Sequence, residues 1–264
     1  MKQGKTKLIA VIIQARMGSK RLPGKVMKLV NGRPLLSYMI ERVKKTKSID
    51  HIIIATTNFK QDDVIIEWCK ENNINYYRGS AQDVLSRYFF TAKKYNIKTI
   101  VRLTADCPLI DPVIIDKVVN KYIKLSGKNI DFVSNSIPPD FTYPDGMEVE
   151  VFNFDILREA YKKSNLPSER EHVTFYFWKT GLFSTFNFKN DIDYSKYRLT
   201  VDYEADFIVI KSIIENLYRK DKMFFMKDMI HYLNDNISVN KLQKNIVRNS
   251  GWEESLGKDM SYKI

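Results

Sequence analysis

Apolar runs of strand length alternate with segments of helical period through the first half of this 264-residue chain, and no other feature restricts its fold as tightly. Segments 8–13, 52–56, 75–77 and 99–103 read as strands. Helix-period segments separate them. They are 34–45, with Leu35, Leu36, Met39, Ile40 and Val43 in register; 62–71, with Val64, Ile65, Trp68 and Cys69; 83–95, with Asp83 at its positive end; and 112–125. Such alternation builds βαβ units, whose right-handed crossovers bring the strands into one mostly parallel, doubly wound α/β sheet. Ligands of such sheets bind beyond the carboxyl ends of the strands.

The second half is less regular. Segments 146–152, 183–188 and 197–201 are expected as short strands and 204–217 as a helix. Ser168-Glu169-Arg170-Glu171 has the form of a capping box opening a helix through Val173 and Phe177. Residues 223–250 look helical but weakly amphipathic, and 251–264 form a polar tail. The expected organisation is one domain, 1–236, with a small inserted β or dimerisation element at 139–190, followed by a helical and polar tail at 237–264.

The run Gln14-Ala15-Arg16-Met17-Gly18-Ser19-Lys20-Arg21-Leu22-Pro23-Gly24-Lys25 follows the first strand. Gly18 and Gly24 let backbone N–H groups approach an anion closely, and Arg16, Lys20, Arg21 and Lys25 supply the opposing charge. A basic surface loop is the plainer alternative. The net charge is +12, and residues 1–50 hold 13 Lys and Arg against 2 Asp and Glu, so nearly all the excess lies beside this loop. A nucleic-acid binder spreads its charge along a stripe or tail. This concentration suits a small polyanion, and no nucleic-acid partner is expected. Lys44, Lys45 and Lys47 are expected on a solvated helix face.

The two cysteines, Cys69 and Cys107, imply neither a disulfide framework nor a metal-binding pair. The first seven residues lack the hydrophobic region of a secretory signal, and no apolar run approaches the ~18 residues of a membrane span. A cytoplasmic protein without a membrane partner is the expectation.

Two acidic motifs complete the pattern. Leu103-Thr104-Ala105-Asp106-Cys107-Pro108 ends the strand at 99–103, and Arg198-Leu199-Thr200-Val201-Asp202 ends another just before a helix. Two carboxylates at strand ends, facing a basic glycine loop, match what Mg²⁺-assisted phosphoryl chemistry requires, because Mg²⁺ takes one or two protein carboxylates and completes its shell with phosphate and water. The competing reading makes Asp106 and Asp202 helix N-caps.

Together with Arg78-Gly79-Ser80, Asp83-Val84-Leu85, Asp145-Gly146-Met147-Glu148-Val149-Glu150 and Arg170-Glu171-His172-Val173, these motifs resemble the cytidylyltransferase superfamily, which includes the CMP-Kdo and CMP-sialic acid synthetases. Over roughly residues 8–236 the resemblance is to the spore coat polysaccharide biosynthesis (SpsF) branch, and Ser250-Gly251-Trp252 and Ser255-Leu256 extend it. The resemblance implies a Rossmann-like nucleotidyltransferase fold and a transfer of CMP from CTP to a sugar or sugar phosphate, with release of pyrophosphate, in surface polysaccharide or glycan synthesis. It implies catalytic roles for Arg16, Lys25, Asp106 and Asp202, with Mg²⁺ on the two aspartates. It implies nucleotide contacts by Gln14, Ala15, Arg16, Gly18, Ser19, Arg21, Lys25, Arg78, Gly79, Ser80, Asp83, Thr104 and Ala105. The Kdo synthetases have Gln-Gly-Asp-Glu-Pro where this chain has Thr104 to Pro108, and the sialic-acid enzymes follow the loop lysine with Asn where this chain has Val26. The acceptor need be neither sugar acid.

Tyr143, Asp145, Glu148, Arg170 and His172 are expected to line the acceptor side. Pro144-Asp145-Gly146 is equally a turn signature, and His172 equally a structural residue. The irregular second half makes a homodimer the expectation. Rival readings are a transferase using another nucleotide or an alcohol phosphate, a non-catalytic nucleotide-binding protein, and a glycosyltransferase, although no Asp-x-Asp stands at a strand end.

Overall fold

The computed structural model describes residues 8–262. Its first half is β1 (Ile9–Gln14), a hairpin of β2 (Leu29–Val30) and β3 (Arg33–Pro34), α1 (Leu35–Val43), β4 (His51–Thr57), α2 (Asp63–Glu71), β5 (Asn75–Gly79), α3 (Val84–Lys94), β6 (Thr99–Thr104) and α4 (Pro112–Ser126). The second half is β7 (Phe132–Ser134), β8 (Glu150–Asn153), α5 (Phe154–Lys163), α6 (Pro167–His172), α7 (Phe175–Lys179), β9 (Thr185–Asn187), α8 (Glu204–Leu217), α9 (Met226–Asp235), α10 (Ile237–Asn240) and α11 (Ser250–Tyr262).

The sheet order is β5-β4-β1-β6-β8-β7-β9. β1 pairs in parallel with both β4 and β6, and β8 alone runs against its neighbours. This is the doubly wound, mostly parallel α/β sheet that the alternation of segments predicts. β1 shows why its apolar run is unbroken: Val11 and Ile13 enter the core under α1, α2, α4, α8 and α9, while Ala10 and Ile12 enter the core under α3, α5 and α7. A strand covered on both faces has no polar side.

Four expectations need correction. The strand expected at 146–152 begins only at Glu150, and 197–201 forms no strand, because the two segments meet at the single Asp145–Arg198 bridge. Gly146 (φ +102°) crosses so close to Leu199 that a Cβ would lie 2.4 Å from a backbone carbon. The helix expected through Val173 and Phe177 is broken into α6 and α7 at Val173 (φ +58°), where Thr174 Oγ1 turns to donate to Glu150 Oε1 at 2.6 Å. Finally, the described part of the polar tail, up to Tyr262, is a docked helix. Its polar residues are the docking groups of α11: buried Asp259 accepts from Ser168 N (2.9 Å) and Ser168 Oγ (2.6 Å), and buried Ser255 meets His172 Nε2 at 2.6 Å.

Burial, reinforced by Arg102, pushes the His172 imidazole down to about 3, so the ring that holds α11 is neutral at pH 7. A base with a lower pKa in the folded state stabilises the fold above its ordinary value of 6.5, and loses that contribution as pH falls toward 3. The melting temperature of the wild type should therefore fall more steeply between pH 6.5 and about 4 than that of His172→Gln; parallel curves would contradict this. Gly146→Ala should cost at least about 2 kcal/mol, since it combines an unfavourable φ with a backbone clash. An unchanged urea midpoint would show that the crossing of 146 and 199 is looser than described.

Candidate active site

The loop leaving β1 folds over the sheet edge and turns at Gly24 (φ +70°) into a single 3₁₀ turn, Lys25–Met27. Lys25 is thereby buried, and its Nζ donates to Asp106 Oδ2 and Asp202 Oδ1, each at 2.9 Å. Asp106 lies just beyond the end of β6 and Asp202 just before α8. Asp202 is also paired with Arg21 (2.7 Å) and Arg198 (2.9 Å). Arg198 in turn gathers Asp145 and the fully buried Asp206, whose carboxylate accepts from the backbone N–H groups of Asp202 and Tyr203.

This geometry answers the N-cap alternative. Helix α4 is capped by Asp111, whose Oδ1 accepts from Val113 N at 2.8 Å, and at the start of α8 Asp206 accepts from the N-cap residue, Tyr203 N, at 3.0 Å. Asp106 and Asp202 are thus left for the centre. Burial alone would raise the Asp106 carboxyl, but the Lys25 ammonium and the Thr104 hydroxyl bring it down to about 2. Burial would lower Lys25, yet Asp106 and Asp202 hold it above its ordinary value. Asp106 and Lys25 thus hold each other in their charged forms.

Two cavities meet at this cluster. The larger, about 850 Å³, runs between the β1 loop, the start of α3 and the helices α6 and α11. The smaller, about 230 Å³, lies over Thr104, Cys107, Asp145, Glu148 and His172. Gln14, Arg21, Asp106, Asp202, Ser250 and Gly251 line both.

Gln14, Arg16, Ser19, Arg21, Lys25, Asp83 and Ala105 line the larger cavity. Arg16 is exposed and makes no ion pair among the described residues. Ala15 is buried at the end of β1, its N–H bonded to Ala55 O, and Gly18 passes against the side chain of Gln61. Thr104 lines the smaller cavity.

Five nucleotide-side expectations, Ala15, Gly18, Arg78, Gly79 and Ser80, do not line either cavity. Arg78 is occupied with Thr57 O, Phe59 O and Asp63, so it holds the loop after β4 rather than facing a ligand. Gly79 and Ser80 brace the same corner, through Asn58 N and Asp83 N, and Ala81 and Gln82 reach the larger cavity instead. On the acceptor side, Asp145, Glu148 and His172 line the smaller cavity, but Arg170 lies in the larger one, paired with Asp83 at 3.3 Å. Tyr143 is a core residue, 3% exposed and stacked near Phe188, because the turn before Gly146 points it inward.

Sequence reasoning passed over Arg102 and Arg248, and it gave Arg198 and Trp252 no role beyond their motifs. Arg102 pairs with Glu150 across the β6–β8 ladder, and Arg248 donates to Glu148 Oε1 at 2.7 Å and Tyr143 O at 2.9 Å. A lone arginine inside an apolar strand was a usable signal for Arg102, since a charge there must be paired. Arg248 lies in a weakly patterned stretch and carried none.

A model of the cytidylyltransferase family matches residues 10–244. The chain is 36% identical over 245 residues to the uncharacterized protein MJ1063 of Methanocaldococcus jannaschii, covering 90% of this chain and 96% of that one. It is 30% identical over 215 residues to the spore coat polysaccharide biosynthesis protein SpsF of Bacillus subtilis, covering 78% and 86%. The structure of a cytidylyltransferase from Leptospira borgpetersenii superposes with a TM-score of 0.83 at 38% identity, over 89% of this chain and 97% of that one. A CMP-2-keto-3-deoxy-manno-octonic acid synthetase structure complexed with CTP shares the fold, with a TM-score of 0.60 at 14% identity. The chain belongs to the cytidylyltransferase family and is a nucleotidyltransferase.

Proposed function

We propose that the protein transfers CMP from CTP to a sugar acceptor and releases pyrophosphate. The observation that carries this reading is the meeting of two cavities at Lys25, Asp106 and Asp202: a large basic one suited to a nucleoside triphosphate, and a small one suited to an acceptor. An acceptor hydroxyl forms a bond to the α-phosphorus while the bond from the α-phosphorus to the bridging oxygen breaks. Pyrophosphate leaves with that oxygen, and the hydroxyl proton passes to solvent or a neighbouring carboxylate. Such a transfer depends on in-line positioning and on neutralising the charge of the leaving group. Arg16, Lys20, Arg21 and Lys25 are the cations around that path, and Arg16 is free to meet the phosphates without breaking an ion pair.

Asp106 and Asp202 fit a magnesium ion. Both offer hard oxygens, and their Oδ atoms converge on one point, now taken by Lys25 Nζ. No group of three or more His, Cys, Asp or Glu assembles among the described residues, so a metal there would complete its shell with phosphate and water, as Mg²⁺ does. When bound, it would polarise the phosphates and offset the charge that develops on them. The family match supports CTP, and no helix among the described residues is long and apolar enough to cross a membrane.

The experiment is pyrophosphate release with Mg²⁺, each of the four nucleoside triphosphates, and a panel of sugars, sugar acids, sugar phosphates and alcohol phosphates. CTP with a sugar is the expected pair; release only with another triphosphate, or only with an alcohol phosphate, would replace this reading. Asp106→Asn and Asp202→Asn should each lower kcat by at least about 100-fold while circular dichroism stays native. A variant with near-normal turnover would remove that carboxylate from the site. Lys25→Met should weaken CTP use, read as a fall in kcat/KM for CTP of about 100-fold or more, and an unchanged value would exclude Lys25 from triphosphate contact.

A further inference from the structure

A third cavity, of about 450 Å³, shares no lining residue with the two at the active site. It is bounded by α1, by the start of α4 and by the turn 218–225 between α8 and α9. Its apolar wall is aromatic: Tyr38 and Tyr218 meet edge-on at 5.2 Å, and Phe224 and Phe225 lie along the turn. Small-molecule sites span ~300–1,000 Å³ and set a few placed polar groups among mostly apolar walls. The volume and the walls here fit that description.

The placed polar group is Arg42, which projects from α1, is 3% exposed and lines the cavity. Its guanidinium donates only to neutral acceptors: Nε to Ile110 O at 2.7 Å, Nη2 to Phe224 O at 2.8 Å and Nη1 to Met223 Sδ at 3.3 Å. It also lies over the Phe224 ring, 4.7 Å from the centroid. Among the described residues no carboxylate is ion-paired with it. The carboxylates that act on it from farther away are committed elsewhere: Glu41 to Arg33, Asp111 to Val113 N and Met226 N, and Asp228 to Phe225 N. Burial lowers the guanidinium to about 10, and these three carboxylates only partly offset that. A link between two loops needs no charge, and a buried charge without a counter-ion is strongly unfavourable. The rim carries the same sign. Lys45, Lys47, Lys220 and Lys222 are exposed there and make no ion pair among the described residues. Of the other two carboxylates that line it, Asp116 is taken up by Lys47 N, Ser48 N and Ser48 Oγ, and Asp221 is exposed.

We propose that this cavity is a second ligand site, for a small organic anion that carries an aromatic ring: its carboxylate or phosphate pairs with Arg42 and the rim lysines, and its ring packs against Tyr38, Tyr218 and Phe224. Charge-assisted pairing with a guanidinium and aromatic packing are separate contributions, so the site should require both parts of the ligand. Leu109, Pro112 and Val113 of its wall follow Asp106 in one continuous segment, and Arg42 holds that segment by the Ile110 carbonyl. The ligand would therefore rest on the same stretch of chain that presents Asp106 to the active site.

The test titrates the ¹⁵N-labelled full chain with 4-hydroxyphenylacetate and with phenyl phosphate, each to about 20 mM at constant ionic strength, a range that covers millimolar binding. Benzyl alcohol and acetate are the controls, one lacking the charge and the other the ring. Saturable shifts in the ¹H–¹⁵N spectrum are expected with at least one aromatic anion, and both controls should bind at least about tenfold more weakly. The tighter of the two anions tells a carboxylate ligand from a phosphate ligand. Arg42→Gln should abolish the binding. That change also disturbs two loop contacts, so a second variant replaces exposed residues only: Lys45→Glu with Lys222→Glu should weaken binding at least about fivefold and leave the melting temperature nearly unchanged. Arg16→Gln, in the large basic cavity, should leave the binding as it was. No saturable binding by either anion, benzyl alcohol binding as well as they do, or binding that the lysine pair does not weaken overturns the proposal. Binding lost in Arg16→Gln overturns it too, because the anion would then occupy the large cavity.

Discussion

The ammonium of Lys25, held between Asp106 and Asp202, is the interaction on which the rest of the site depends. Lys25 is buried, and the two carboxylates that hold it are half-buried at the cavity walls. Removing one partner leaves the buried ammonium short of a counter-charge, which costs stability. The fold meets that cost by surrounding the cluster with further charge: Arg21 and Arg198 on Asp202, and Asp145 and Asp206 on Arg198. A network of this kind is poised rather than inert. In the proposed reaction a metal and a triphosphate would bring their own opposite charges, and the carboxylates and the lysine would exchange each other for metal and phosphate.

The scaffold places that cluster by simple means. Parallel strands bring the ends of β1 and β6 side by side, so the glycine loop and Asp106 emerge at one edge. The chain then has to bring Asp202 to the same point from a segment that is not a strand. It does so with the close crossing at Gly146, the Asp145–Arg198 bridge and the Asp206 carboxylate that fastens the start of α8. Substrate-sized space follows from the same arrangement, with the sheet edge as floor and α6 and α11 as walls.

Much of this was legible in the sequence, for identifiable reasons. The first half obeys local rules: β1 is apolar on both faces and α3 opens on Asp83, whose side chain accepts from Ser86 N at 2.8 Å. Lys25, Asp106 and Asp202 stood out because a basic glycine loop and two strand-end aspartates have few joint explanations. The misses came where long-range contacts override local pattern. Residues 197–201 alternate as a strand would, yet Gly146 occupies the place a partner strand would need. Residues 250–262 look solvated because their polar groups are paired with Ser168 and His172, some ninety positions away in the chain. Arg78 carries the right charge in the right motif, but each of its three guanidinium nitrogens is bonded to a neighbouring segment.

The central claim is that Asp106 and Asp202 form a metal site completed by the nucleotide. Its most direct test is a titration of the protein with Mn²⁺, followed by electron paramagnetic resonance with and without CTP. The account predicts a tight, CTP-dependent site that disappears when either aspartate becomes asparagine. Metal binding that ignores CTP, or that survives with both aspartates replaced, would contradict it.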